Sequence, residues 1–232
     1  MSSELKQIAR QDLWIVDHPQ RMPGGWRMDT RMSVLRLPDG ALWLHSVVPI
    51  DDALAAQLDA LGPVRHLVAP NLLHHLYLGP AQQRWPEAHT WAPPGLSDKR
   101  PELRIDHQLA GRAPPSWGGV IEEIAIDGAP GLAESIFFHR PTATLIVADL
   151  VFALRTAPNL RTALILWMVG ALGGVRQSRL LRAMIRDRAA AAASIRALLA
   201  LPFERLVPAH GEVIEADAHA QVSGALAWAR TR

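Results

Sequence analysis

The chain has 232 residues, of which 49% are apolar, so it is long enough to bury a substantial hydrophobic core. It contains no cysteine, which excludes disulfide bonds, thiolate nucleophiles and cysteine-based zinc sites, so any metal must be held by His, Asp or Glu. The net charge is only +2, and the arginine cluster at 176–188 lacks the interleaved aromatic residues that stack on bases, so we expect no nucleic-acid partner.

The sequence indicates neither a signal peptide nor a membrane-spanning segment. The first ten residues, MSSELKQIAR, lack the charged-then-apolar pattern of a signal peptide. The longest apolar run, at 163–175, is too short and too rich in glycine for a membrane span. The sequence therefore predicts a cytoplasmic protein with no membrane span.

The first part of the chain alternates between strand and helix patterns. Stretches rich in β-forming residues predict three strands, at 12–19, 31–40 and 41–49. A helix is predicted at 52–62, with an N-cap offered by Asp51 and Asp52, followed by a buried strand at 64–70. An amphipathic helix at about 72–83 and a proline-rich loop at 84–118 complete this part.

The second part continues the alternation. Strands are predicted at 119–126, 134–139 and 143–149. Residues 153–200 favour helix, a last strand leads to His210, and a helix follows at about 216–229. Strands interleaved with helices predict a layered α/β sandwich, and because no linker divides the chain we predict one domain over 1–232 with a helical insert at about 153–200.

Two of these strands end abruptly on a polar residue. TATLIVADLVF at 142–152 delivers Asp149, and ERLVPAHGEVI at 204–214 delivers His210. The C-terminal ends of strands are where α/β folds place metal ligands and catalytic groups. Taken singly, an aspartate that caps a turn and a surface His-Gly bend are the alternatives.

Together the two motifs resemble the closing ligand motifs of the metallo-β-lactamase superfamily, GDxLF and GHG. The resemblance extends in the same order over nearly the whole chain, through RMSVLRLPDGALWLHS, VRHLVAPNLLHHLYLG and GAPGLAESIFFH. It implies a four-layer αββα sandwich. WAPPGLSDK and MIRDR further resemble one divergent branch of uncharacterised function, in which the metal site is partly lost.

The resemblance implies that the first metal site of the superfamily is absent. On the family pattern, Asn71, Leu73 and Leu132 stand where its three histidines would be. Leucine cannot bind a metal, so we expect Leu73 and Leu132 to form an apolar plug at this place.

The second metal site is compatible with one ion. Asp149 and His210 match its ligands directly, and His75 stands at the remaining position, with His74 as the alternative if the pair is shifted in register. Two imidazoles and one carboxylate suit one divalent metal, zinc or iron, and such an ion can polarise a carbonyl or lower the pKa of bound water. A metal-free remnant of the site is the alternative.

Two further residues are candidates for a catalytic role. Glu134, close to Leu132, would be a general acid, with an exposed edge-strand glutamate as the alternative. Lys99 lies in the segment that resembles the GLSDK element and would contact an anionic substrate, with a solvated surface lysine as the alternative.

The insert contains an unusually apolar stretch, TALILWMVGALGG. We expect it to pack over the edge that carries Asp149 and His210, with Trp167 or Met168 turned towards the site or towards a second subunit. A homodimer through the insert is therefore one expected assembly, and a core helix is the alternative.

The sequence leads to one favoured function and two alternatives. We predict a metal-dependent hydrolase-like protein that uses at most one metal ion and acts on a small, partly apolar substrate. A non-catalytic protein of the same fold, with a binding or interaction role, is the main alternative. A ferrous-iron enzyme that uses oxygen is the third, because two histidines and one carboxylate also suit iron.

Overall fold

The computed structural model describes residues 4–9, 12–22 and 24–230. The strands in these ranges are β1 (Leu5–Ala9), β2 (Leu13–His18), β3 (Thr30–Arg36), β4 (Leu42–His45), β5 (Val64–Val68), β6 (His89–Ala92), β7 (His107–Gln108), β8 (Ile121–Ala125), β9 (Ser135–His139), β10 (Thr144–Val147), β11 (Phe152–Leu154), β12 (Gly174–Arg176) and β13 (Arg205–Pro208). The helices are α1 (Asp52–Leu61), α2 (Leu78–Arg84), α3 (Leu96–Lys99), α4 (Leu160–Met168), α5 (Arg179–Ala183), α6 (Arg188–Leu199) and α7 (Ala218–Ala225). Short 3₁₀ turns lie at Pro115–Trp117, Arg140–Thr142 and Ala227–Ala229.

Two sheets contain most of the strands. The first runs in the order β1 to β7, antiparallel as far as β4 and parallel from β4 onwards. The second has the order β13-β10-β9-β8, in which β13 and β10 are parallel and the other neighbours are antiparallel. Strands β11 and β12 form a separate antiparallel pair.

An aromatic layer lies between the two sheets. Trp43 and Trp91 of the first sheet and Phe137 of the second belong to one buried cluster. Trp117, which is completely buried, packs edge-on against all three rings at centroid distances of 5.0–5.9 Å. Edge-to-face aromatic pairs are favoured beyond their buried area, so this layer fixes how one sheet lies on the other.

Helices cover the outer face of each sheet. Leu54 and Leu58 of α1 are buried in a core with the first sheet. Ile195 and Leu198 of α6 are buried in a second core with β8 to β10 and β13. The chain therefore forms the four-layer αββα sandwich that its sequence predicts.

The segment predicted as mostly helical at 153–200 contains a strand pair as well as helices. After α4 the backbone passes through Gly170, Gly173 and Gly174, all with positive φ, which lets the chain turn back so that β12 pairs with β11. The prediction missed this pair because it followed the apolar and alanine-rich composition alone. Across the described residues, no helix combines the length and the apolarity that a bilayer crossing requires.

Two predictions in the first half also differ from the structure. The helix expected at about 72–83 begins only at Leu78, because the Asn71 side chain accepts the backbone N–H groups of Leu73 and His74 and holds a turn there. The expected loop at 84–118 contains β6 and β7, which extend the first sheet. The many prolines of that segment led to the loop prediction, because proline is rare inside strands, and the two short strands were missed.

Candidate metal centre

Strand ends from both sheets meet at one edge of the sandwich. In the parallel pair of β10 and β13, Val147 lies opposite Pro208, so Asp149 and His210 each follow two residues beyond the paired ends. The loop after β5 adds His74 from the other sheet. The nearest ligand atoms of His74, Asp149 and His210 all lie within 4.8 Å of one another, the one such group of three found among the described residues.

The separations of these atoms fit a single metal ion. His74 Nε2 lies 3.1 Å from His210 Nε2 and 3.3 Å from Asp149 Oδ2, and His210 Nε2 lies 3.5 Å from Asp149 Oδ1. Ligands bound tetrahedrally at ~2.0–2.2 Å would stand about 3.3–3.6 Å apart. The observed distances lie within about 0.2 Å of this range, with His74 facing one carboxylate oxygen and His210 the other, so donor type and spacing both suit a zinc-sized ion.

Hydrogen bonds at the far ring nitrogens orient the two histidines. His210 Nδ1 lies 2.8 Å from the carbonyl oxygen of Asp29, which can only accept, so this nitrogen donates and Nε2 carries the lone pair in the neutral ring. His74 Nδ1 lies 2.7 Å from the Ser46 hydroxyl. Outer partners of this kind fix the tautomer and direction of metal-binding imidazoles.

Asp149 supplies a buried negative charge between the rings. Burial by itself would raise its pKa, but His74 and His210 together lower the pKa well below its usual value. The carboxylate is only 4% exposed, so water does little to stabilise this charge. Positive charge placed next to Asp149 is therefore strongly favoured.

Asn71 holds the carboxylate from the other side. Its Nδ2 donates to Asp149 Oδ2 at 2.8 Å, while its Oδ1 accepts the backbone N–H groups of Leu73 and His74. One buried amide thus connects the aspartate to the loop that carries His74. On the family resemblance Asn71 stood only where a histidine is expected. An asparagine directly after a predicted strand commonly forms such turns, and this was the available signal.

Glu134 lies behind Asp149 and is directed at the backbone. It is 1% exposed, and its Oε1 accepts the N–H groups of Ala148, Asp149 and Leu150 at 3.0–3.1 Å. Burial and the charge of Asp149 raise the pKa of Glu134 to about 8, which these backbone donors oppose. The alternative of an exposed edge-strand glutamate is therefore wrong, since this side chain is buried and holds the loop that presents Asp149.

His75 lies outside the group of three. Its Nδ1 is 2.9 Å from Arg100 Nη1. The pKa of His75 is lowered, first by burial and then by the positive charges of Lys99 and Arg100. Lys99 donates to the carbonyl of Leu72. His74, the reserve candidate, belongs to this group of three in place of His75, because the Asn71 turn directs the first histidine of the pair inwards. Lys99 and Arg100 hold this loop from the outside.

The two leucines expected to form a plug are in different environments. Leu132 is buried in a cluster with Phe152, Leu166 and Leu181. Leu73 is 43% exposed and lines the cavity above the site. The expected plug of both leucines is therefore wrong: Leu132 packs under the insert, and the Asn71 amide occupies the space beside Asp149.

A cavity of about 220 Å³ opens over the three residues. Its apolar lining consists of Met22, Met28, Val47, Leu73, Leu76 and Tyr77. Among the described residues no lysine or arginine contributes to this lining, so Lys99 does not face the cavity. Cavities that are mostly apolar with a few convergent polar groups are typical of small-molecule sites.

Comparison with known proteins agrees with the fold. A family model described as a domain of unknown function, DUF4336, matches residues 10–97. No curated protein matches the chain. Among solved structures, the chain is similar to the metallo-β-lactamase from Pontibacter korlensis, with 16% identity, full coverage of both chains and a TM-score of 0.67.

Two further structures are similar over their length. The FIM-1 metallo-β-lactamase from Pseudomonas aeruginosa, described in its mono-zinc form, is 12% identical, with a TM-score of 0.65 and coverage of 100% of this chain and 98% of the other. A metallo-β-lactamase from Hirschia baltica is 12% identical, with a TM-score of 0.59 and coverage of 97% of each chain. The chain therefore has the metallo-β-lactamase fold, and a group of residues able to hold a metal lies at one edge of it.

Proposed function

We propose that this protein is a metal-dependent hydrolase that holds one metal ion through His74, Asp149 and His210. The observation that carries the proposal is that two imidazole Nε2 atoms and a buried carboxylate face one another at 3.1–3.5 Å. His210 directs the lone pair of its Nε2 towards this buried negative charge, which is unfavourable unless a cation or a proton lies between them. Zinc is the favoured ion, and iron is the second choice.

The residues around the ligands would keep the site arranged before substrate arrives. Ser46 and the Asp29 carbonyl orient the rings, and Asn71 holds one oxygen of Asp149. A bound metal would supply Lewis acidity towards a carbonyl or phosphoryl oxygen. We assign Glu134 a positioning role instead of the general-acid role, because its oxygens are engaged by the backbone of 148–150.

The cavity supports a neutral, partly apolar substrate. Methionine and leucine side chains form much of its wall, and a cationic side chain that would select an anion is absent from its described lining. Burial of apolar groups would then supply most of the binding energy, and orientation would come from Gln20, Thr30 and Ser46. A short-chain ester or amide fits this chemistry.

The proposal is tested by metal content and activity together. Protein purified without added metal is analysed for zinc and iron, then stripped by a chelator and reloaded with each ion. We expect close to one ion per chain, and hydrolysis of short-chain nitrophenyl esters that is lost on stripping and restored by reloading. Absence of metal after reloading would refute the metal site, whereas bound metal without hydrolysis of any ester or amide tested would favour a binding role.

A further inference from the structure

The outer face of helix α4 is apolar and open to solvent. Leu160, Leu164, Trp167 and Met168 are 90%, 56%, 69% and 51% exposed. They stand at positions i, i+4, i+7 and i+8, which places them on one face of the helix. Leu180 of α5, next to Arg179, is also largely exposed. We call these five residues the apolar face.

The orientation of the helix is fixed by its opposite side. Leu166 is buried against Leu132, Phe152 and Leu181, and the buried Thr162 hydroxyl accepts the N–H of Arg27. The apolar face therefore cannot be turned into the core without losing these contacts. Neither Trp167 nor Met168 lines the cavity over the metal centre, so the face is also not a lid in this arrangement.

The segment around this face is strongly basic. Residues 155–200 contain eight arginines and a single acidic residue, Asp187, although the whole chain carries a net charge of only +2. Arg161 lies within α4, and Arg179 lies against its C-terminal end, with Nη1 3.4 Å from the Met168 carbonyl. Exposed large apolar side chains thus stand beside two exposed cations, Arg161 and Arg179. Elsewhere in the segment, Arg155 pairs with Glu212, and Arg182 and Arg188 lie over the Trp228 ring.

We propose that the apolar face docks on the surface of a membrane that contains anionic lipids. Helices that lie in a membrane interface combine Trp and Leu on one side with arginines that meet anionic headgroups. Charge also decides against a second copy of this chain, since a two-fold contact would bring the basic segment against itself. Nucleic acid would satisfy the arginines but would leave the four aliphatic side chains and Trp167 without apolar contact.

Binding to lipid vesicles tests this proposal. The full chain is sedimented with vesicles of phosphatidylcholine alone, or of phosphatidylcholine mixed with phosphatidylglycerol, at low and high salt. We expect binding to the mixed vesicles, weakened by salt, and little binding to the neutral ones. The double variant Trp167→Ser, Leu164→Ser should lower the affinity for mixed vesicles by about tenfold or more, because apolar burial is lost.

Matched charge variants complete the test. Arg161→Glu with Arg179→Glu should weaken vesicle binding by about tenfold, whereas Arg65→Glu, an exposed site on β5, should leave it unchanged. Equal binding to neutral vesicles, no effect of the double variants, or a stable dimer without vesicle binding would each overturn the proposal, as would binding to nucleic acid in place of lipid. Vesicle binding does not need the metal, so a His210→Ala variant that still binds would separate this proposal from the proposed function.

Discussion

The edge of the sandwich has two neighbouring halves with opposite properties. In one half, His74, His210 and Asp149 direct nitrogen and oxygen atoms at a common point. In the other, Asn71 and Glu134 form hydrogen bonds with the backbone, and Asn71 also donates to Asp149. Leu132 close by is packed in apolar surroundings. The comparison shows that neighbouring residues at one edge can be organised in opposite ways, since the second half is closed by hydrogen bonds and packing.

Replacing each of the two adjacent histidines in turn gives the strongest test of this comparison. His74→Ala removes one of three proposed ligands, and we expect the metal content to fall from near one ion per chain to near zero. His75→Ala removes the contact with Arg100 and should leave the metal content almost unchanged. Elemental analysis of both variants, with circular dichroism as the control for folding, distinguishes the two. The reverse result would return the ligand position to His75.

A substitution in the closed half should lower the stability of the fold and leave the metal content unchanged. Leu132→Ala would leave a cavity beside Phe152 and Leu166 and should lower the free energy of unfolding by about 2–5 kcal/mol. Leu73→Ala, at an exposed position, should change it by less than about 0.5 kcal/mol. Urea unfolding measures both. If Leu132→Ala removed the metal while the chain stayed folded, the two halves would not be independent.

Acid should lower the stability of the fold, and His139, which lies outside the candidate metal group, is one residue through which it acts. Burial lowers the pKa of His139 to about 4 from its ordinary 6.5. The folded state therefore binds this proton less readily than the unfolded chain. The contribution of neutral His139 to the free energy of unfolding is fully present above pH 6.5 and is lost as the pH falls towards 4. The loss would reach about 3 kcal/mol at most.

Replacement of this histidine checks that assignment. His139→Gln retains a polar group that can reach Thr142 and removes the titrating proton. We expect unfolding experiments between pH 7 and pH 4 to show a smaller acid loss of stability in this variant than in the wild-type protein. An unchanged pH profile would mean that other histidines, such as the buried His45, cause the acid sensitivity.

The sequence predicted the fold, and its candidates included all three residues of the candidate metal group, with His74 only in reserve to His75. Asp149 and His210 were predictable because each lies just beyond a strand with a clear apolar pattern, and parallel strands bring their ends to one edge. The choice between His74 and His75 was not, because it depends on a turn held by the Asn71 side chain. Periodicity predicted a helix there, and a helix would orient the two rings differently.

The environment of Glu134 was also beyond the sequence. Its position after Leu132 suggested a catalytic acid or an exposed residue, since nothing local indicates burial. The structure places it against the N–H groups of 148–150, a contact between the residue just before β9 and the loop after β10 that the pairing of β9 with β10 creates. Long-range partners of this kind decide the role of a buried carboxylate.

The smallest effect should be seen at Ser46, which touches a proposed ligand without binding the metal itself. Its hydroxyl lies 2.7 Å from His74 Nδ1, and its backbone has φ of 58°, a left-handed conformation that favours glycine. Ser46→Ala and Ser46→Gly both remove the hydroxyl, so both should weaken metal affinity by about tenfold. The glycine variant should be more stable than the alanine variant by about 1 kcal/mol, because it relieves the backbone strain. Metal titration and urea unfolding of the two variants measure these quantities separately. Equal stability of the two would mean that the backbone at Ser46 is not strained, and unchanged metal affinity would mean that the Asn71 turn alone orients His74.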